Sequence, residues 1–183
     1  MQRAVAYRDD QLSGRGTLRH RHHVETSSGS NPMTKITVQT TVAAPIEQAW
    51  RAYTNPEDII LWNAASDDWH TTKATVDLRV GGAFSSRMEA KDGSHGFDFA
   101  GIYTKIVEHK IIEYSFGDRT AQVEFTPDAK GGVTVRVTFD GEATHSIEQQ
   151  RSGWQSILDN FARYVQASKD RRAAAGNTTS TRR

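Results

Sequence analysis

The chain has 183 residues, a formal net charge of +1, 36% hydrophobic residues and no cysteine. This is enough chain for one domain with its own core, and the lack of cysteine excludes disulfides, thiolate metal sites and a cysteine nucleophile while permitting a reducing compartment. Residues 33–168 hold more acidic than basic side chains, which argues against nucleic acid as a partner because phosphate neutralisation requires clustered Lys and Arg, and no segment offers the roughly 20 apolar residues of a membrane span.

Residues 1–32 form a net basic stretch without an apolar signal run, so we expect an unstructured leader and a cytoplasmic protein. His20, His22 and His23 in that leader are not taken as a metal site. The domain is expected over residues 33–168, followed by an unstructured basic tail, 169–183. "KITVQTTV" alternates Ile36, Val38 and Val42 with polar residues, the period of a half-buried strand over 36–42. "APIEQAWRAYT" then changes to helical period and predicts a helix over 45–53, with Ile46, Ala49, Trp50 and Tyr53 on one face. "NPEDIILW" starts a second helix over 56–62, with Asn55 as cap, Pro56 in the first turn and two carboxylates where the helix dipole favours them.

From there the signals become short strands and turns, predicting strands over 72–78, 83–89, 97–107, 111–116, 121–126 and 133–140. "HSIEQQRSGWQSILDNFARYV" closes the pattern as an amphipathic helix over 147–165, with Ile147, Trp154, Ile157 or Leu158, Phe161 and Val165 along its seam. The order predicts an α+β domain in which one long helix covers one face of a single curved antiparallel sheet.

The order of elements, with "VAAPIEQAWRAYTNPEDIILWN", "DDWHTTKATVDLRVGGAFSSRMEAKDG", "FDFAGIYTKI" and "GWQSILDNF", resembles the SRPBCC superfamily of START-like, helix-grip proteins over about residues 34–167. Within it the chain is most similar to bacterial homologues of the activator of the ninety-kilodalton heat-shock chaperone's ATPase. The resemblance implies a seven-stranded sheet gripping the C-terminal helix around an internal cavity, as in the birch-pollen allergen. It also implies a possible chaperone partner and a link to stress response. Other superfamily members are lipid carriers, hormone receptors and polyketide cyclases, so fold is implied more closely than reaction.

A curved sheet and a straight helix cannot touch along their whole length, and the gap between them is the expected cavity. Gln150 and Gly153 lie on the helix seam, where neither fills a core; we read them as cavity wall, with Trp154 as an aromatic edge and Leu158 beside it. The alternative is that Gln150 sits at the helix border in water and Gly153 allows close packing on a strand. The candidate ligand-binding set is completed by Trp62, Trp69, His70, Phe84, Met88, Phe99, Tyr103 and Tyr114, rings and apolar groups suited to an apolar pocket with a few orienting polar groups.

"ASDDWHT" places Asp67, Asp68 and His70 in one loop, where they could contact a ligand but match no zinc pattern. His109 is expected in a turn facing solvent, and His145 near one end of the pocket. No catalytic template matches, so an enzyme would rest on acid–base work by Asp67, His70, His95 or Asp98. The expected function is therefore noncatalytic binding of a small hydrophobic or amphipathic ligand, without a cofactor. The alternatives are a chaperone ATPase regulator acting through its surface, and a cyclase- or hydrolase-like enzyme.

Overall fold

The computed structural model describes residues 33–178, with side chains described as far as Ser168; the expected leader, residues 1–32, and the last part of the expected tail lie outside the described residues. Strand β1 (Lys35–Val42) buries Ile36, Val38 and Val42, the alternation of its sequence. Helix α1 (Ile46–Thr54) follows and buries Trp50. Asn55 joins it to α2 (Pro56–Trp62): its backbone N–H donates to the Arg51 carbonyl at 2.9 Å and its side chain accepts from the Glu57 N–H at 3.3 Å. The two helices are then locked by the Trp62 indole, which donates to the Ala52 carbonyl at 2.8 Å.

Strands β2 (Trp69–Val76), β3 (Ala83–Ala90), β4 (Gly96–Val107), β5 (Ile111–Phe116), β6 (Arg119–Pro127) and β7 (Val133–Asp140) form an antiparallel meander, and β1 adds to β7. The seven-stranded order is β1-β7-β6-β5-β4-β3-β2. At Gly101 the chain passes so close to its neighbours that a Cβ would lie 2.3 Å from the Ser115 carbonyl oxygen and 2.7 Å from the Phe84 ring. Glycine is what lets the Phe84 ring approach β4 this closely.

Strand β2 differs most from expectation, beginning at Trp69 instead of Thr72 and ending at Val76 instead of Leu78. Trp69, His70 and Thr71 pair with Ala90, Glu89 and Met88, and an irregularity between Thr71 and Lys73 then shifts the register. That bulge interrupts the simple alternation by which the strand would have been read. At the other end Arg79 binds the Asp77 carboxylate at 2.9 Å, the chain turns, and Leu78 is left 38% exposed.

Helix α3 spans Ile147–Thr178, well past the expected end at Val165 and into the stretch read as tail. "QASKDRRAAA" is made of helix-compatible residues with no Pro or Gly before Gly176, so nothing in it stops the helix. Leu158, Phe161 and Val165 are buried, whereas Ile147, expected on the seam, is 42% exposed in the first turn. The helix packs chiefly on β1. Gln155 takes both backbone groups of Gln39, accepting at 3.3 Å and donating at 3.0 Å, and so covers part of the free edge of the sheet. Tyr164 donates to Asp58 and Asn160 to the Ala64 carbonyl, which ties α3 to α2 and the segment after it.

Candidate functional site

Helix α3 makes its close backbone approach to β1, at one end of the strand order, and stands off from the concave face of β2–β5. The space between them is a cavity of about 660 Å³, within the range of small-molecule sites. Among its exposed lining residues, Asp68 on one side and Ser146, Glu148, Gln149 and Ser152 on the other put a mouth between the α2–β2 connection and the start of α3.

Of the expected set, α2 and the start of β2 supply Trp62 and Trp69, β3 supplies Phe84 and Met88, and β4 and β5 supply Phe99, Tyr103 and Tyr114. Helix α3 supplies Gln150, Gly153, Trp154 and Leu158. His70 is not among the lining residues: strand alternation turns it away from Trp69, opposite Glu89 on the neighbouring strand. The expectation that it contacts a ligand from a loop is corrected by the early start of β2.

The wall is largely aromatic. Trp154 stacks on Phe139 with centroids 4.1 Å apart and rings 15° from parallel, and its faces and edges meet Phe99 at 6.0 Å and Phe116 at 6.1 Å. Phe84 continues the series through Tyr103 and Tyr114, at 5.1 and 5.0 Å. Beside Trp154, a Cβ placed on Gly153 would meet no heavy atom within 4 Å. Gly153 therefore opens onto the cavity and does not mediate close packing on a strand.

Gln150 has a different role from the one expected of a wall residue. Its carbonyl oxygen accepts from the Glu142 N–H at 2.8 Å, and its amide nitrogen donates to the carbonyls of Glu142 and His145 at 3.0 and 2.9 Å. The amide clamps the β7–α3 connection. In that connection the Glu142 carboxylate accepts from the N–H groups of Thr144 and His145 and from the His145 ring, at 2.6, 2.9 and 2.6 Å. Burial opposes its ionisation, but these hydrogen bonds outweigh it and hold the carboxyl below the usual range. Glu142 and His145 both line the cavity.

Tyr53, read only as part of the apolar face of α1, and Ser86 and Glu142, not singled out from the sequence, all line the wall. Ser86 had a signal, since it lies between Phe84 and Met88 on the same strand face. Burial pushes the Tyr103 phenol up to about 12 and raises Tyr53 and Tyr114, with smaller contributions from one tyrosine to another.

The acid–base candidates are scattered. Asp67 and His95 are not among the lining residues, and His95 meets Ser94 in the β3–β4 turn. Asp98 faces Arg87 at 3.6 Å, outside the cavity. Asp68 alone of the first group reaches the mouth. His109, expected in solvent, is half-buried with its ring 5.7 Å from Trp50. Among the described residues no helix is long and apolar enough to cross a membrane, and no three His, Asp or Glu side chains converge as metal ligands do.

Residues 43–166 match the family model described as Activator of Hsp90 ATPase homolog 1-like protein. The chain belongs to this family. It is 44% identical to an AHSA1-like protein from Aeromonas hydrophila, covering 74% of this chain and 94% of that one with a TM-score of 0.70. A protein from Cytophaga hutchinsonii is 41% identical over 74% of this chain and 94% of its own, with a TM-score of 0.64. A third, from Chromobacterium violaceum, is 25% identical over 73% and 98%, with a TM-score of 0.65. No curated protein matches. As an AHSA1-like domain of the SRPBCC superfamily, the chain has the expected curved sheet, paired short helices and long C-terminal helix.

Proposed function

We propose that this AHSA1-like protein binds a small hydrophobic or amphipathic molecule between the sheet and α3, as a cytoplasmic carrier or sensor. One observation supports this reading above others: an aromatic cavity of about 660 Å³ onto which the helix presents Gly153, with no neighbour near where a side chain would begin. A core built only for stability would place an apolar side chain at that position. Native mass spectrometry of the purified full chain should find a retained small molecule or, after its removal, uptake of an apolar fluorescent dye in one-to-one ratio. Failure to retain any molecule and to take up dye would end the carrier reading.

The family description names a chaperone's ATPase, and a surface role on a chaperone rests on that description alone. Acid–base chemistry has one specific support, the Glu142–His145 pair in the wall, a carboxylate oriented on a histidine. It requires turnover of a neutral ester probe that is lost in His145→Gln. Unchanged probe would leave binding alone.

A further inference from the structure

Three phenols from three elements reach the cavity: Tyr53 from α1, Tyr103 from β4 and Tyr114 from β5. Tyr103 and Tyr114 are partners across the β4–β5 ladder and are only 7% and 5% exposed. Tyr53 is held in place by the Trp62, Phe125 and Phe161 rings, at 5.4, 5.6 and 5.4 Å. No group among the described residues hydrogen-bonds any of these three hydroxyls. Yet no fully enclosed side-chain polar atom among them lacks a partner, so the hydroxyls are groups that open on the cavity. Donors on the wall of an apolar space need an acceptor within it, from water or from a ligand.

The charge around them restricts what that acceptor can be. No Lys or Arg is among the described lining residues, whereas Asp68, Glu142 and Glu148 are. Arg119 lies 4.5 Å from the centroid of the Phe116 ring, but it is outside the lining set and its charge faces Glu142 and Asp140. A bound carboxylate would thus lose its water and meet no Lys or Arg, while the one basic ring of the wall, His145, is already engaged by the Glu142 carboxylate at 2.6 Å. The same environment keeps the phenols protonated, as the upward shifts of all three record, so at neutral pH they are available to donate.

We infer that the cavity selects an uncharged apolar molecule bearing a carbonyl oxygen, a ketone, ester or quinone, and that Tyr53, Tyr103 and Tyr114 form the donor set for that oxygen. A carbonyl offers two lone pairs, and the cross-strand neighbours Tyr103 and Tyr114 can supply two donors from one patch of the wall. The aromatic wall takes the remainder of the molecule. The inference rests on the reading of the cavity as a ligand site and adds the chemistry that the site selects.

Three related dyes test it against the full-length protein: the uncharged ketone Prodan, its parent dimethylaminonaphthalene without the acyl group, and dimethylaminonaphthoate with a carboxylate in its place. The propionyl group of Prodan adds apolar area but also a carbonyl whose loss of water opposes it, so burial alone would leave Prodan and the parent close in affinity. The donor set instead predicts that Prodan binds about tenfold tighter than either, the order of one or two neutral hydrogen bonds. In the Tyr103→Phe/Tyr114→Phe variant, shown folded by its thermal transition, Prodan should lose that advantage while the parent keeps its affinity within about twofold. Equal binding of Prodan and parent to the unaltered protein would mean that water satisfies the phenols, and would overturn the inference while leaving a ligand site. Equally tight naphthoate would overturn the selection for neutral ligands. A preference surviving in the double variant would remove the phenols from the donor role. If none of the dyes binds, the carrier reading falls and this inference with it.

Discussion

Gly153 and Gln150 lie one turn apart on α3 and show how far a single position can be read. The glycine was legible as an opening because its residue type conflicts with a helix seam, and no atom approaches its would-be Cβ within 4 Å. Gly153→Ala should therefore raise stability by about 0.8–1 kcal/mol through helix propensity, measured as an increase in the denaturant midpoint. Gly153→Leu should not lower the midpoint, since its Cβ would meet no atom within 4 Å and the rest of the side chain has the cavity to enter, but it should weaken apolar-dye binding by filling that space. A lowered midpoint with undiminished dye binding would sink the cavity reading. Gln150 was legible only as an oddity. Its purpose depends on the path of residues 141–146, which curls back so that three backbone groups meet one amide, and no periodicity encodes that path. Gln150→Ala should destabilise by about 1–3 kcal/mol, because it strands backbone groups that the amide satisfied. Unfolding titrations that put it within about 0.5 kcal/mol of the parent, an ordinary surface substitution, would disprove the clamp.

Elements were legible where their period is clean; an irregularity inside β4, at Tyr103/Lys105, left its bounds readable to within one residue, whereas one near the start of β2 did not. β1, β5 and β7 alternate without interruption and were placed almost to the residue. β2 carries the irregularity at Thr71/Lys73, and its first residues look like a polar loop, which is why His70 was assigned to a ligand site it does not face. The start of α3 had a further signal in "SIEQ": the Ser146 hydroxyl accepts from the Gln149 N–H and the Gln149 side chain accepts from the Ser146 N–H, both at 3.1 Å. This reciprocal cap fixes where the helix begins. Its hold on the rest of the domain centres on Phe161, fully buried and in edge contact with Tyr53 and Trp62 at 5.4 and 5.1 Å. Phe161→Ala should cost about 3–5 kcal/mol, the usual penalty for emptying such a site, and calorimetry should show one transition at a lower temperature. A loss below about 1 kcal/mol would mean that α3 is not anchored on the paired helices.

At the scale of the molecule, stability should form a plateau bounded by two kinds of group. On the acid side, burial opposes ionisation of Asp140, but Lys35 at 2.6 Å and the hydroxyl and N–H of Thr120 at 2.7 and 2.8 Å outweigh it and lower its pKa, as comparable hydrogen bonds do for Glu142. Their contribution is present above the ordinary carboxylate range, near pH 4, and is lost as pH falls through the lowered folded values. On the alkaline side the sign reverses. Burial raises the cavity phenols, Tyr103 to about 12 and Tyr53 and Tyr114 also upward, so the folded state holds these protons when the unfolded chain has released them. Stability should then be indifferent to the phenols below about pH 10, where unfolded tyrosine titrates, and fall as pH rises through the folded values. Lysine side chains in general lose their protons in the same range, so the slope alone does not identify its source. Comparison with Tyr103→Phe/Tyr114→Phe does, because phenylalanine has no proton to lose. The double variant should show a shallower decline in thermal midpoint above about pH 10, and tyrosinate absorbance of the native parent should lag behind that of the unfolded chain. Coincident titrations and identical slopes would mean that the phenols are as hydrated as exposed tyrosines, and such a cavity would have no unmet donors with which to select a carbonyl.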